Sequence, residues 1–208
     1  MISLVTIFTV IIAADSVAGE FSSGTIKLLL INPVSRFKIL LSKYVTTLIF
    51  SLLLFVLLFC TAFLVSGLLE GFKDIGLPYI YASSDHVIHS VNMAGHVIGS
   101  YGYASIEMII IVTMAFMISA VFRSSLIAMG LSLGIMFVGS GVAAFLAQYQ
   151  YSWAKYFLFE NTDLTVYLTG NPNIAGMTLS FSIMVLIVYF LIFNALSIYV
   201  FNKRDVAA

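Results

Sequence analysis

Residues 15–43 read DSVAGEFSSGTIKLLLINPVSRFKILLSK, a stretch that carries Asp15, Glu20, Lys27, Arg36, Lys38 and Lys43 between two apolar runs. Gly24 and Pro33 punctuate its backbone. A charged, helix-capable linker of this kind is a bare loop, a helix lying on lipid, or a docking element for a soluble partner. The apolar runs around it set the fold.

The chain has 208 residues, of which 62% are hydrophobic and 9% charged. That is too apolar for a soluble core of this size and predicts an all-α polytopic transmembrane helix bundle, with residues 1–208 as one membrane domain. Cys60 is the single cysteine, which excludes an internal disulfide and a cysteine-based zinc cluster; it reads as a small buried apolar residue. No Gly-Lys dipeptide occurs, so a phosphate-cradling P-loop is absent. The sequence also lacks CxxC, HExxH, paired catalytic carboxylates and any basic patch interleaved with aromatics, which argues against zinc chemistry, acid–base catalysis and nucleic acid.

A helix needs about 20 residues to cross a hydrocarbon core of roughly 30 Å. Residues 44–69, 104–122, 126–146 and 177–201 pass that test. Residues 2–14 cover only about 20 Å at 1.5 Å per residue, so residues 1–14 are expected to be a partial span whose beginning lies before Met1. A signal peptide is rejected because no Lys or Arg precedes Lys27.

The cations orient the chain. Lys27, Arg36, Lys38, Lys43, Arg123, Lys203 and Arg204 fall on one side, whereas residues 70–103 and 147–176 hold only Lys73 and Lys155. The richer side is read as cytoplasmic, which puts residues 15–43 and the C-terminus inside and the two long loops outside. Within 15–43, Ser22 or Ser23 is expected to cap a helix over 26–31, which Pro33 ends, and Ser35 to cap a second helix that runs through Lys43 into the next span. Leu28, Leu29, Leu30 and Ile31 are consecutive apolar residues, too many for one narrow face, so some of them meet lipid, the bundle or a partner. The outer loops carry Tyr79, Tyr81, Tyr101, Tyr103, Tyr149, Tyr151, Trp153 and Tyr156, which predicts that they lie along the bilayer interface.

The order of Glu20, the Gly24-Thr25 pair, Pro33, Ser35-Arg36 and Lys43 at the foot of a span resembles the cytoplasmic coupling segment of ABC transporter permeases of the type-2 exporter class. The resemblance covers residues 15–43 closely and the rest through the order of spans and loops. It departs at Ser42, where family members often have glycine, and in span count, the usual permease having six. It implies an exporter permease in the plasma membrane that is not itself an enzyme. It also implies a second permease copy, and separate ATPase subunits that hold ATP and magnesium. In these terms Leu28, Leu29 and Leu30 enter a groove of the ATPase subunit, while Glu20, Lys27 and Arg36 set the register. The competing reading leaves the same helix on acidic lipid.

Glu107 is the one acid within a span and is placed about 5 Å from the outer end of its helix, as a polar site within reach of interfacial water. Asp85, His86, His89 and His96 share the first outer loop and read as ordinary loop residues rather than a metal site. Gly130 and Gly134 form a GxxxG step that predicts close helix packing inside the bundle. Asn194 and Ser197 are expected to hydrogen-bond to neighbouring helices. Rival readings are a small secondary transporter or channel, and a non-functional permease fragment; neither the residues nor the resemblance names a substrate.

Overall fold

The computed structural model describes residues 2–26, 35–71, 78–82 and 88–203. Five long helices organise it: α1 (Ile2–Ser22), α2 (Arg36–Glu70), α3 (Met93–Val121), α4 (Ser125–Tyr149) and, after a short α5 (Leu158–Thr162), α6 (Leu179–Lys203). Each of the five long helices is long and apolar enough to cross a membrane, and the chain is a multi-pass membrane protein.

The first helix corrects the sequence expectation. It does not stop at Ala14 as a partial span but continues to Ser22, 21 residues in all or about 32 Å. Asp15 and Glu20 do not end it, because neighbouring helices supply each with a partner. The boundary expected at 15 therefore falls at Ser22. α2 starts where expected, with Ser35 in the extended N-cap conformation but its side chain making no capping hydrogen bond, and runs unbroken for 35 residues. α3 begins at Met93, eleven residues before the expected Ala104, and Asn92 accepts hydrogen bonds from the Ala94 and Gly95 amides at its start. Gly95, His96, Gly99, Ser100 and Gly102 dilute the hydropathy of that first part and hid it.

α3 is the central helix, with α1, α2, α4 and α6 packed around it. Apolar burial drives little helix association in lipid, so close approach and polar contacts decide the arrangement. α1 lays fully buried Val10, Ala13, Ala14, Val17 and Ala18 into this core, where small side chains let two backbones meet. Tyr44 of α2 shares a 2.8 Å hydroxyl–hydroxyl hydrogen bond with Thr113 of α3 and packs its ring on Phe116. By contrast the C-terminal half of α2 is exposed, with Leu53, Leu57, Leu68 and Leu69 uncovered. Cys60 is exposed there too, not buried as expected.

The two long connections have structure of their own. An antiparallel hairpin pairs β1 (Pro78–Ala82) with β2 (Ile88–Asn92), so the fold is mostly but not wholly helical. His89 stacks on Tyr81 and His96 on Tyr79, which turns two of the three histidines to ring packing; Asp85 and His86 lie outside the described residues. Between α4 and α6, Tyr151, Trp153 and Tyr156 stay exposed, as does Tyr149 at the end of α4, and then the chain enters the bundle. It turns inward, burying Leu158, Phe159, Glu160, Asn161, Thr162 and Leu164. Phe159 reaches Gly139, ten residues before the end of α4 and about 15 Å along it.

Glycine usage is the clearest reversal. A Cβ at Gly130 or Gly134 would meet nothing within 4 Å, so the GxxxG step packs against no part of the described chain. Gly139 is the close-approach position, where a Cβ would lie 2.2 Å from the Phe159 ring. Asn194 and Ser197 likewise donate to Phe190 O and Phe193 O of their own helix rather than across helices.

Candidate functional site

The charged segment is fastened at both of its ends to one end of the bundle. At its entry, the α1 amides of Val17 and Ala18 both lie within hydrogen-bond distance of Ser119 Oγ on α3, at 3.0 and 2.9 Å. The Ser125 hydroxyl at the start of α4 donates to the Asp15 carboxylate, and the Ser125 amide donates to Ser22 Oγ at 2.8 Å. Ser22 Oγ also approaches Arg123 O at 3.2 Å. Ser22 is thus not an N-cap of a following helix but a bridge from α1 to the α3–α4 turn.

At the exit, Lys43 reaches back across to α1. Its ammonium donates to Ser16 O at 2.8 Å and to Glu20 Oε1 at 2.9 Å. Glu20 accepts as well from the Thr25 hydroxyl through Oε2, and Thr25 meets Ser23 Oγ at 2.9 Å. Glu20 is thereby a node that joins α1, the turn after it and α2. Its side chain is 28% exposed and that of Lys43 21%, so solvent screens the pair and its value is positional more than energetic.

Gly24 has a φ of +73°, in the left-handed region that glycine enters without Cβ strain, and this reverses the chain after α1. The reversal drops Ile26 into a second core with Val17, Leu40, Tyr44, Phe116 and Phe201. Arg36 Nη1 lies 3.5 Å from Asn202 O near the end of α6. All of these contacts gather at one end of the bundle, where Arg36, Lys43, Arg123 and Lys203 also lie. A polar cleft of about 750 Å³ opens there, lined by Asp15, Glu20, Ser22, Thr25 and Ser125 among others. A neighbouring cleft of about 440 Å³ continues from Asp15 and Ser16 towards Thr47 and Phe50.

Of the residues that the sequence singles out, Glu20, Gly24, Thr25 and Arg36 sit in this anchored junction. Lys27, Leu28, Leu29, Leu30 and Pro33 lie outside the described residues. Glu107 is far from the junction: it is fourteen positions after Met93, about 21 Å along α3, because the helix begins eleven residues before the expected start. It is half-buried, and Asp163 is close enough for the two carboxylates to interact. Sequence reasoning missed Asp15, Ser22, Ser119 and Ser125 as partners. An isolated serine in an apolar helix carries no signal of whom it will meet, and Asp15 was legible only as a charge.

Among the described residues no group of three or more His, Cys, Asp or Glu is placed to hold a metal ion. The geometry is that of a polar junction between helices. It holds hydroxyls and carboxylates in hydrogen bonds between four helices, with an apolar anchor below.

The chain is 46% identical over 207 residues to YhcI of Bacillus subtilis strain 168, an uncharacterized protein, covering 98% of this chain and 65% of YhcI. It is 31% identical over 204 residues to YdbK of the same organism, an uncharacterized membrane protein, covering 98% of this chain and 78% of YdbK. The chain thus spans about two thirds of the length of YhcI. Residues 1–207 match the family described as a protein of unknown function, DUF2705, and the chain belongs to that family.

Proposed function

We propose that this protein is the membrane-spanning permease subunit of an ATP-binding cassette exporter of the type-2 class. It sits in the plasma membrane with its C-terminus in the cytoplasm, pairs with a second permease copy, and takes its drive from a separate ATPase subunit that holds ATP and magnesium. The observation that carries this reading is the anchoring of residues 15–43 at both ends. A load applied between Ile26 and Ser35 passes through the Glu20–Lys43 contact into α1 and α2, and through Ser119 and Ser125 into α3 and α4. A lipid-resting helix needs no such clamp. The open Gly130–Gly134 face of α4 and the uncovered C-terminal half of α2 leave room for the second copy or for lipid.

The reading expects an ATPase gene beside this one, and the test is co-purification of its product with wild-type and Leu29→Asp permease at matched expression. On the docking reading a charge in a closed groove loses water without gaining a partner, and the apolar contact removed amounts to roughly 1.5–3 kcal/mol. Recovery of the ATPase should fall at least tenfold while membrane insertion is unchanged. Equal recovery with both would count against docking through this helix.

A second reading, a small secondary transporter, gains from Glu107, the acid carried within α3, since an acid inside a span is a hallmark of ion pathways. Transport that survives loss of the ATPase but collapses with the ion gradient would favour it over the first.

A further inference from the structure

Glu160 is 2% exposed, and neither of its carboxylate oxygens has a hydrogen-bond partner among the described residues. It sits on α5, in the inward turn between α4 and α6, and the turn is held tightly. Asn161 Nδ2 donates to Lys155 O and Phe157 O at 2.9 and 2.8 Å, and Thr162 Oγ1 donates to Phe159 O at 3.0 Å. On the far limb Gln150 Nε2 donates to Asn173 O at 2.8 Å, and its Oε1 accepts from Ala175 N at 2.9 Å. At 2% exposure the carboxyl meets water only when its own side chain or the turn around it moves.

No cation on the packed elements answers it. α4 contains no charged residue, its one titratable side chain being Tyr149, and α6 has Lys203 at its last position together with Tyr189 and Tyr199. α3 offers only Glu107, His96 and the phenols of Tyr101 and Tyr103. Within the turn, the Lys155 ammonium lies over the Tyr156 and Phe181 rings at 5.3 and 5.9 Å from their centroids; Asp163 is an acid whose Oδ1 accepts from the Thr165 amide, and the Tyr167 hydroxyl meets Ser182 Oγ. An ionised carboxylate buried without a counter-ion is unfavourable enough that the group either takes a proton or leaves. Burial pushes the Glu160 carboxyl above the ordinary carboxylate range; the Asn173 side chain and the Ala147 backbone, which approach without hydrogen-bond geometry, offset this only in part.

We propose that Glu160 is a proton-binding site, its carboxyl neutral while the inward turn is seated between α4 and α6, and that loss of the proton to water releases the turn. The linkage follows the sign of the shift. Because the seated carboxyl holds its proton more tightly than the released one, the stabilisation is fully present below the released-state pKa. It is lost as pH rises through the seated-state value, by up to tenfold in the seated-to-released ratio per pH unit between them.

Trp153, the single tryptophan, is 61% exposed and already open to quencher, so the reporter is a tryptophan at Phe157, a half-buried residue three positions before Glu160, in a Trp153→Phe background. The experiment is acrylamide quenching of this Phe157→Trp reporter in the purified full chain in lipid nanodiscs, titrated from about pH 4 to about pH 9, with the reporter chain standing as wild type at Glu160. Wild type should show one rise in quenching with increasing pH. Glu160→Gln should stay at the low-pH level throughout, while His96→Gln, Glu107→Gln and Asp163→Asn keep the rise. No rise in wild type, or a rise that persists in Glu160→Gln, would overturn the proposal. If Glu160→Gln fails to fold, wild type answers by labelling with dicyclohexylcarbodiimide, which adds to protonated carboxyls in apolar surroundings. A Glu160 adduct found by mass spectrometry at low pH, falling up to tenfold per pH unit above the midpoint, supports the site, and an adduct absent at low pH or independent of pH refutes it.

Discussion

Gly139 gives the sharpest test of how the inward turn is seated. A Cβ built there would lie 2.2, 2.4 and 2.6 Å from three carbons of the Phe159 ring, far inside contact distance, and Phe159 is itself buried. Gly139→Ala therefore forces the ring outward, at about 1–3 kcal/mol for overpacking a filled site. Against this, alanine is better than glycine inside a helix by about 1 kcal/mol. The net expectation is destabilisation of up to about 2 kcal/mol. In a Phe159→Ala background the obstacle is gone and only the helix term remains, so the same substitution should stabilise by about 1 kcal/mol. The prediction is thus a change of sign, which is independent of the cost of Phe159→Ala itself. Unfolding by sodium dodecyl sulfate, followed through Trp153 fluorescence, measures all four corners of the cycle. The same sign for Gly139→Ala in both backgrounds would refute the packing argument.

Two further expectations concern the junction and the orientation of the chain. Ser119→Ala removes the oxygen that two α1 amides share and should cost about 1–3 kcal/mol in the same unfolding assay, whereas Ser119→Thr, which keeps the hydroxyl, should cost less; equal losses would assign the effect to volume instead. With Cys60 replaced by alanine, a cysteine at Ser90 should react with an impermeant thiol reagent in intact cells and one at Ser35 should not; the opposite pattern would invert the topology.

The apolar runs determined by themselves that this is a helical membrane protein, because the length needed to cross hydrocarbon is a one-dimensional property that a sequence displays directly. The start of α2 at Arg36 was legible for the same kind of reason, since a proline just before a helix is a local signal in the sequence; the Ser35 side chain itself makes no capping bond. Residue spacing could not decide where α1 and α3 stop and start. Asp15 and Glu20 look like the end of a span until Ser125 and Lys43 arrive from helices more than twenty positions away to satisfy them. The same holds for Gly130 and Gly134 against Gly139: all three are glycines in one helix, and only the arrival of Phe159 from the inward turn makes one of them necessary. Glu160 carried no distinguishing signal in the chain. Its character comes from burial among helices that bring it no cation, and desolvation is a property of the assembled bundle that no local pattern of residues encodes.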